Sequence, residues 1–253
     1  MDSPLSPGRR CPKFPHMAFV CQPSARSGIL LHHAGSLAGK TDEVRVAKDV
    51  TSAQLLLAEA ATLFRKKGYA GTTTRELAAK VGLQNASLYH HMAKKEDLLY
   101  NICVNSLHRM GHEVQEAISA YSDPRAQLRA MMIRHMEVVL SEGDAHATML
   151  IELRSLSAAR RRKVVQLRNE YEARLRQVII NGQATGAIRA DVEAKYLTLA
   201  MFSLVNWAVF WFRDDGDLAA SQLGELFGQL FLEGVAPTKA RGARLITPAR
   251  ATL

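Results

Sequence analysis

From Val44 to Gly234 the apolar residues recur at three- and four-residue spacing, with no alternating run and no turn-bounded cluster of β-branched residues. That spacing leaves helix packed on helix as the only economical core, so an all-α fold of about nine helices is expected. The most apolar stretch, YLTLAMFSLVNWAVFWF at 196–212, is interrupted by Asn206 and followed by RDDGD. It reads as a buried helix and not as a membrane span, which needs about 18–20 unbroken apolar residues. The N-terminus has no compact apolar segment followed by a small-residue cleavage site, so a cytoplasmic protein is expected. Cys11, Cys21 and Cys103 are too scattered for a disulfide framework, and Cys103 falls in a helical pattern where a buried free thiol is the default.

Four segments follow from composition. Residues 1–43 hold five of the eight prolines and no sustained period, and are expected to be a disordered arm. Residues 44–100 form a small helical domain, 101–235 a larger one, and 236–253 a basic tail without an apolar face. Charge divides along similar lines. Residues 44–110 carry ten basic and five acidic side chains, whereas 111–234 carry fourteen and sixteen. A basic head on a slightly acidic body suits a head that meets a polyanion.

The head shows short helices in close succession. A first helix should run from about Val44 or Thr51, where Thr51 and Gln54 can form a capping box, to Lys67, with Gly68 ending it. Thr73 can cap a second, with Glu76 bonding back and Leu77, Ala78 and Val81 facing inward before Gly82. A third begins near Gln84 or Asn85, and Lys94–Lys95 open a fourth. Two short helices joined by a glycine turn make a helix-turn-helix, whose second helix enters the major groove. Gln84 and Asn85 suit adenine edges, Ser87 suits either polarity, Ala86 permits close approach, and the Tyr89 hydroxyl reaches phosphate. Lys95 stands at the start of a helix, where free N–H groups already favour an anion.

The segment GYAGTTTRELAAKVGLQNASLYHHMAKKEDLL closely resembles the DNA-binding domain of the TetR family of bacterial repressors. Gly68, Tyr69, Thr72, Thr73, Leu77, Ala78, Gly82, Leu88, Tyr89, His91, Lys95, Glu96 and Leu98 fall on the family pattern. The resemblance implies phosphate contacts from Thr73, Tyr89 and Lys95. It also implies base or sugar contacts from Arg75, Asn85, Ser87, Tyr89, His90 and His91. Two positions depart from the pattern. Gln84 replaces the usual Ser or Thr cap, a loss of about 1 kcal/mol unless Asn85 caps instead. Met92 replaces a Phe, exchanging one core filler for a more pliable one.

In the body, helices are expected at 124–141, capped by Asp123 with Pro124 first; 144–156; 158–182, stopped near Gly182; 191–213, capped by Asp191; and 217–233, capped by Asp217. Asn181-Gly182, Thr185-Gly186, Asn206-Trp207, Trp211 and Asp215-Gly216 resemble the branch of the family that responds to acyl-CoA thioesters. For such an effector, Met132, Met136, Met149, Phe202, Trp207, Phe210 and Trp211 are candidates to surround an apolar group. Arg168, Tyr171 and Arg174 are candidates to meet a carbonyl or phosphate. The same Met and aromatic stripe is equally what an ordinary core shows. Trp207 and Trp211, four apart, suit one pocket wall or one dimer seam. Asn206, in an apolar helix, requires a hydrogen-bond partner. Arg160–Lys163 reads as a solvated face. Leu223, Leu226, Phe227, Leu230 and Phe231, with Gly224 and Gly228 between them, form a stripe suited to a homodimer. A twofold dimer implies a palindromic operator.

His108, His112 and Glu116 have zinc-compatible spacing but no third committed ligand, and Cys11, His16 and Cys21 lie in the arm, so neither metal nor cofactor is expected. No nucleophile elbow, phosphate-binding glycine loop or acid pair is present, which argues against an enzyme. The expected function is a sequence-specific DNA-binding repressor released by a small apolar or acyl-CoA-type effector. A DNA-binding dimer without an effector, and an activator, are the alternatives.

Overall fold

The computed structural model describes residues 40–83 and 92–237, with side chains from residue 52 onward. Among these residues there are eight α-helices and no strand. They are α1 (Lys40–Lys67), α2 (Thr74–Lys80), α3 (Lys95–Ser119), α4 (Pro124–Ser141), α5 (Gly143–Glu152), α6 (Ala158–Ala184), α7 (Ala194–Trp207) and α8 (Ala220–Gly234). Short 3-10 turns extend α5 at Leu153–Ser155 and α7 at Ala208–Phe210. The fold is all-α, as the spacing requires.

Several helix ends follow directly from local chemistry. Gly68 stops α1 at φ 78°, a left-handed conformation that costs a residue with a Cβ. Thr73 caps α2 by accepting from the Glu76 N–H at 3.2 Å, while Glu76 accepts from the Thr73 N–H at 2.9 Å. Asp123 accepts from the Ala126 N–H at 2.8 Å, and Pro124 takes the first position of α4, where its missing N–H is not needed.

Other ends differ from the sequence expectation. The first helix already runs from Lys40, so Thr51 lies inside it and caps nothing. α6 continues past Gly182 to Ala184, and the chain turns at Gly186, φ 75°. Gly182 serves contact instead, since a Cβ there would stand 2.4 Å from Ile188 Cδ1. Asp191 pairs with Arg189 at 2.6 Å, leaving Glu193 at the cap position of α7 without a side-chain bond. α8 begins three residues after Asp217, at Ala220, where Gln222 Oε1 accepts from the Ala219 N–H at 2.8 Å.

Two apolar clusters hold the chain together. One joins α1, α2 and the first half of α3 through Leu56, Phe64, Leu77, Leu99 and Ile102, with Met149, Leu156 and Val164 completing it. Met92 is 3% exposed within it, filling the place expected of it. Cys103 is buried there as a free thiol, and burial pushes its pKa up to about 12. The other unites α3 to α8 around Met110, Met131, Met136, Leu175, Ile179 and Met201. α8 lies so close on α4 that a Cβ on Gly224 would stand 2.7 Å from Ile133 Cα. The glycines expected at a subunit seam therefore admit a helix of the same chain.

Candidate functional site

The loop between α1 and α2 is fastened from the start of α3. Lys95 Nζ donates to the carbonyls of Tyr69 and Thr72, both at 2.7 Å, and stands 4.3 Å from the centre of the Tyr69 ring. Burial lowers the Lys95 pKa, a tendency that nearby Glu152 opposes. Thr72, 1% exposed, donates from Oγ1 to the Gly68 carbonyl at 3.0 Å. Two of the three ammonium donors of Lys95 are thus occupied by backbone, which leaves one for the expected phosphate contact. Thr73 and Arg75 are exposed at the first turn of α2, where N–H groups favour an anion. Gln84, Asn85, Ser87, Tyr89, His90 and His91 lie outside the described residues, as do Ala86, Leu88, Cys11, His16 and Cys21.

Polar bonds tie this head to the helices that follow. Along one face of α5, Asp144 accepts from Thr62 Oγ1 at 2.5 Å and from Arg65 Nη1 at 2.9 Å. One turn on, Thr148 Oγ1 donates to the Ala61 carbonyl at 3.0 Å; a further turn on, Glu152 accepts from the Tyr69 N–H at 3.0 Å. Arg65 also donates to the Val209 carbonyl at 2.8 Å. At the start of α6, the Ser157 N–H donates to Glu96 at 2.7 Å, holding that carboxyl below its ordinary pKa. Arg160, read from sequence as part of a solvated face, instead donates to Asp97 at 2.5 Å and lies over the Tyr100 ring. Arg161, Arg162 and Lys163 are exposed.

Between α3 and α6 lies a cleft of about 450 Å³, lined by Leu107, His108, Gly111, Leu167, Tyr171 and Arg174 among others. Arg174 is exposed and donates to the Gly111 carbonyl at 3.3 Å across it. Tyr171 forms part of the wall and is itself 6% exposed. Behind Tyr171 is a buried polar chain. The Tyr171 hydroxyl donates to His135 Nδ1 at 2.6 Å, and Asn206 Oδ1 accepts from Nε2 of His135 at 2.8 Å and of His146 at 3.2 Å. Burial drives both imidazole pKa values down, to about 3 for His135 and about 4 for His146, so both rings are neutral at pH 7. Burial also raises the Tyr171 pKa.

The candidate ligand residues separate into groups. Tyr171, Arg174 and Asn206 belong to the cleft and its polar chain, and Phe202 packs on the rings of His135 and Tyr171. Met132 and Met136 are fully buried core residues, and Met149 belongs to the head cluster. Arg168 is exposed but does not line the cleft. Trp207 and Trp211 form no common wall. The α-helix ends at Trp207, which packs on Phe210, whereas Trp211 packs on Phe227 and both indoles remain exposed. Of the α8 stripe, Leu223 and Phe231 face this chain's own core, Phe227 is half-buried, and Leu226 and Leu230 are exposed. His112 stands 3.6 Å from Glu116 on the surface, and no metal-holding group of three acidic, His or Cys side chains occurs among the described residues.

His135 and His146 were not singled out in the sequence. The available signal was Asn206, a polar residue in an apolar helix that demanded partners. Nothing in local spacing identified those partners, which lie 71 and 60 residues away.

The model of the tetR family of bacterial regulatory proteins matches residues 56–102, and that of the tetracyclin repressor-like C-terminal domain matches 121–235. The HTH-type transcriptional repressor KstR2 of Rhodococcus jostii (strain RHA1) is 28% identical over 183 residues, covering 72% of this chain and 89% of that protein. The crystal structure of the TetR family transcriptional regulator PfmR from Thermus thermophilus superposes with a TM-score of 0.66 at 34% identity, covering 70% of this chain and 97% of that one. AibR in complex with isovaleryl coenzyme A and operator DNA gives a TM-score of 0.62 at 26% identity, with coverage of 72% and 98%. No helix among the described residues is long and apolar enough to cross a membrane. The chain belongs to the TetR family, and it is a DNA-binding transcriptional regulator, not an enzyme.

Proposed function

We propose that the protein is a cytoplasmic repressor that binds a palindromic operator as a homodimer and is released by a small effector of the acyl-CoA type. The observation that carries the effector reading is the α3–α6 cleft, with Tyr171 in its wall and a buried polar chain bonded to the Tyr171 hydroxyl behind it. A body with no ligand to admit has no need of two neutral histidines at its centre, because an apolar core of equal volume is at least as stable. AibR, similar in fold and sequence, is held with isovaleryl coenzyme A and operator DNA. The exposed Arg174 at the cleft mouth suits the carbonyl or phosphate of such a molecule.

Operator contact is assigned to Thr73, Arg75, Gln84, Asn85, Ser87, Tyr89, His90, His91 and Lys95. Support comes from the exposed first turn of α2 and from the Lys95 clamp that fixes the preceding loop. The dimer is assigned to the exposed apolar side chains of the last two helices, Tyr196, Leu199, Trp207, Leu226 and Leu230. Together they make a surface that a monomer would leave wet. Effector binding favours a dimer whose recognition helices no longer match successive major grooves, and linkage requires operator DNA to weaken effector binding equally.

A mobility-shift assay on the DNA upstream of the gene, titrated with isovaleryl-CoA and longer acyl-CoAs, tests this reading. The expected result is a retarded complex that one of these thioesters dissolves. A complex insensitive to the whole panel would overturn the effector class, and no complex at all would overturn the operator assignment.

A further inference from the structure

Between Glu152 and Glu170 the chain carries six cationic side chains and no acidic one, whereas the rest of residues 111–234 carry eight basic against sixteen acidic. Arg154 precedes α6, Arg160, Arg161, Arg162 and Lys163 crowd its first two turns, and Arg168 follows. This order runs against local electrostatics. The first turn of a helix carries partial positive charge and attracts carboxylates, yet the first turn of α6 has no acidic residue. Adjacent cations there also repel one another. Arg160 is neutralised by Asp97 and Glu96, but Arg154, Arg161, Arg162 and Lys163 are exposed and pair with no carboxylate among the described residues.

Two anchors place these cations beside the head. Glu152 accepts from the Tyr69 N–H at 3.0 Å, in the loop whose Tyr69 and Thr72 carbonyls hold Lys95, and Arg154 follows two residues on. The Ser157 N–H and Arg160 bond to Glu96 and Asp97, the two residues after Lys95. α6 runs alongside α3 in the same direction, since Arg174 meets Gly111 further along both. The basic end of α6 thus stands level with the Lys95 start of α3, and the α3–α6 cleft opens further along, at Leu107 and Leu167. We propose that Arg154, Arg161, Arg162 and Lys163 make a second contact with DNA, gripping backbone phosphates beyond the base pairs that the recognition helix reads. The proposal rests on the operator reading above. Exposed guanidinium and ammonium groups suit a polyanion, which they bind through charge without reading bases. Continuity with Lys95 favours the duplex over the phosphates of an effector in the cleft.

The test compares the full chain with Arg154→Gln and with a variant combining Arg161→Gln, Arg162→Gln and Lys163→Gln. Fluorescence anisotropy is read across a salt series on two labelled duplexes, the fragment upstream of the gene and a random sequence of equal length. In the combined variant the slope of log affinity against log salt should become shallower by about 2 or more per dimer on both duplexes, because each phosphate contact contributes about 0.9. The ratio of the two affinities should stay as in the wild type. Phosphate-ethylation interference on the wild-type complex should show contacts outside the protected base pairs, a result that needs no variant. Unchanged slopes, or no outer contacts, overturn the proposal. So does weakened calorimetric binding of isovaleryl-CoA with the slopes unchanged, which would give the cluster to an effector phosphate. Loss of sequence discrimination without a change of slope would mean that these residues only brace the head, and overturns it too. Wild-type binding without preference for the upstream fragment would count against the operator reading, and the slope on the random duplex would still decide this contact.

Discussion

The head and the body of this protein treat buried polar groups in opposite ways. In the head, Lys95 and Thr72 direct their donors at backbone carbonyls of Gly68, Tyr69 and Thr72, closing a loop that has few conformations left. In the body, His135, His146, Tyr171 and Asn206 bond to one another across four helices. A part that must present a fixed shape to DNA gains from satisfying every group locally. In the body the same kind of group joins helix to helix, so the network depends on how four helices sit together.

The largest test of this contrast is Phe64→Ala, which empties a fully buried site in the head. A loss of about 3–5 kcal/mol is expected in urea denaturation. Two separated transitions in that experiment would mean that head and body unfold independently despite the α5 bonds. A smaller effect belongs to the body alone. The unfolded chain protonates its histidines near pH 6.5, whereas the folded chain keeps His146 neutral to about 4 and His135 to about 3. Stability is therefore complete above pH 6.5 and falls as the pH drops toward 4, by up to about 1.4 kcal/mol per pH unit for each ring. Denaturation at stepped pH should show this slope, and His146→Phe should roughly halve it, leaving the part due to His135. A flat wild-type profile would mean that the rings are hydrated.

Gly224→Ala places a Cβ against the backbone of Ile133 and should cost about 1–3 kcal/mol as α8 moves off α4. Its thermal midpoint should fall while the head cluster stays unaltered by near-ultraviolet dichroism of Tyr69 and Tyr100. Thr73→Ala, in the head, removes the α2 cap and should cost about 1 kcal/mol. The Lys67 ammonium, followed by bonds from Thr73, holds the Glu76 carboxyl down at about 2. The stabilisation from its ionised form should persist from neutral pH to near 4.5 and vanish as the pH falls through 2.

The parts of this molecule that were legible in the sequence are those fixed within one helical turn. Thr73 with Glu76, and Asp123 with Pro124, announce their helix starts because a cap and its N–H lie three residues apart. Gly182 and Gly186 show the limit. Identity alone does not tell a glycine that turns the chain from one that admits a neighbour, and it was Ile188, packed on Gly182, that decided. The cleft was half legible: Tyr171, Arg174 and Asn206 were candidates, but the histidines that give Asn206 its meaning come from α4 and α5. Trp207 and Trp211 misled for a related reason. Equal spacing places two residues on one face only while the helix lasts, and α7 ends between them.

Asp144, Thr148 and Glu152 meet α1 and its following loop at three successive turns of α5, like teeth on a rack. Because the three contacts are spread over successive turns of one rigid helix, any movement of α5 along its axis is felt by all of them at once.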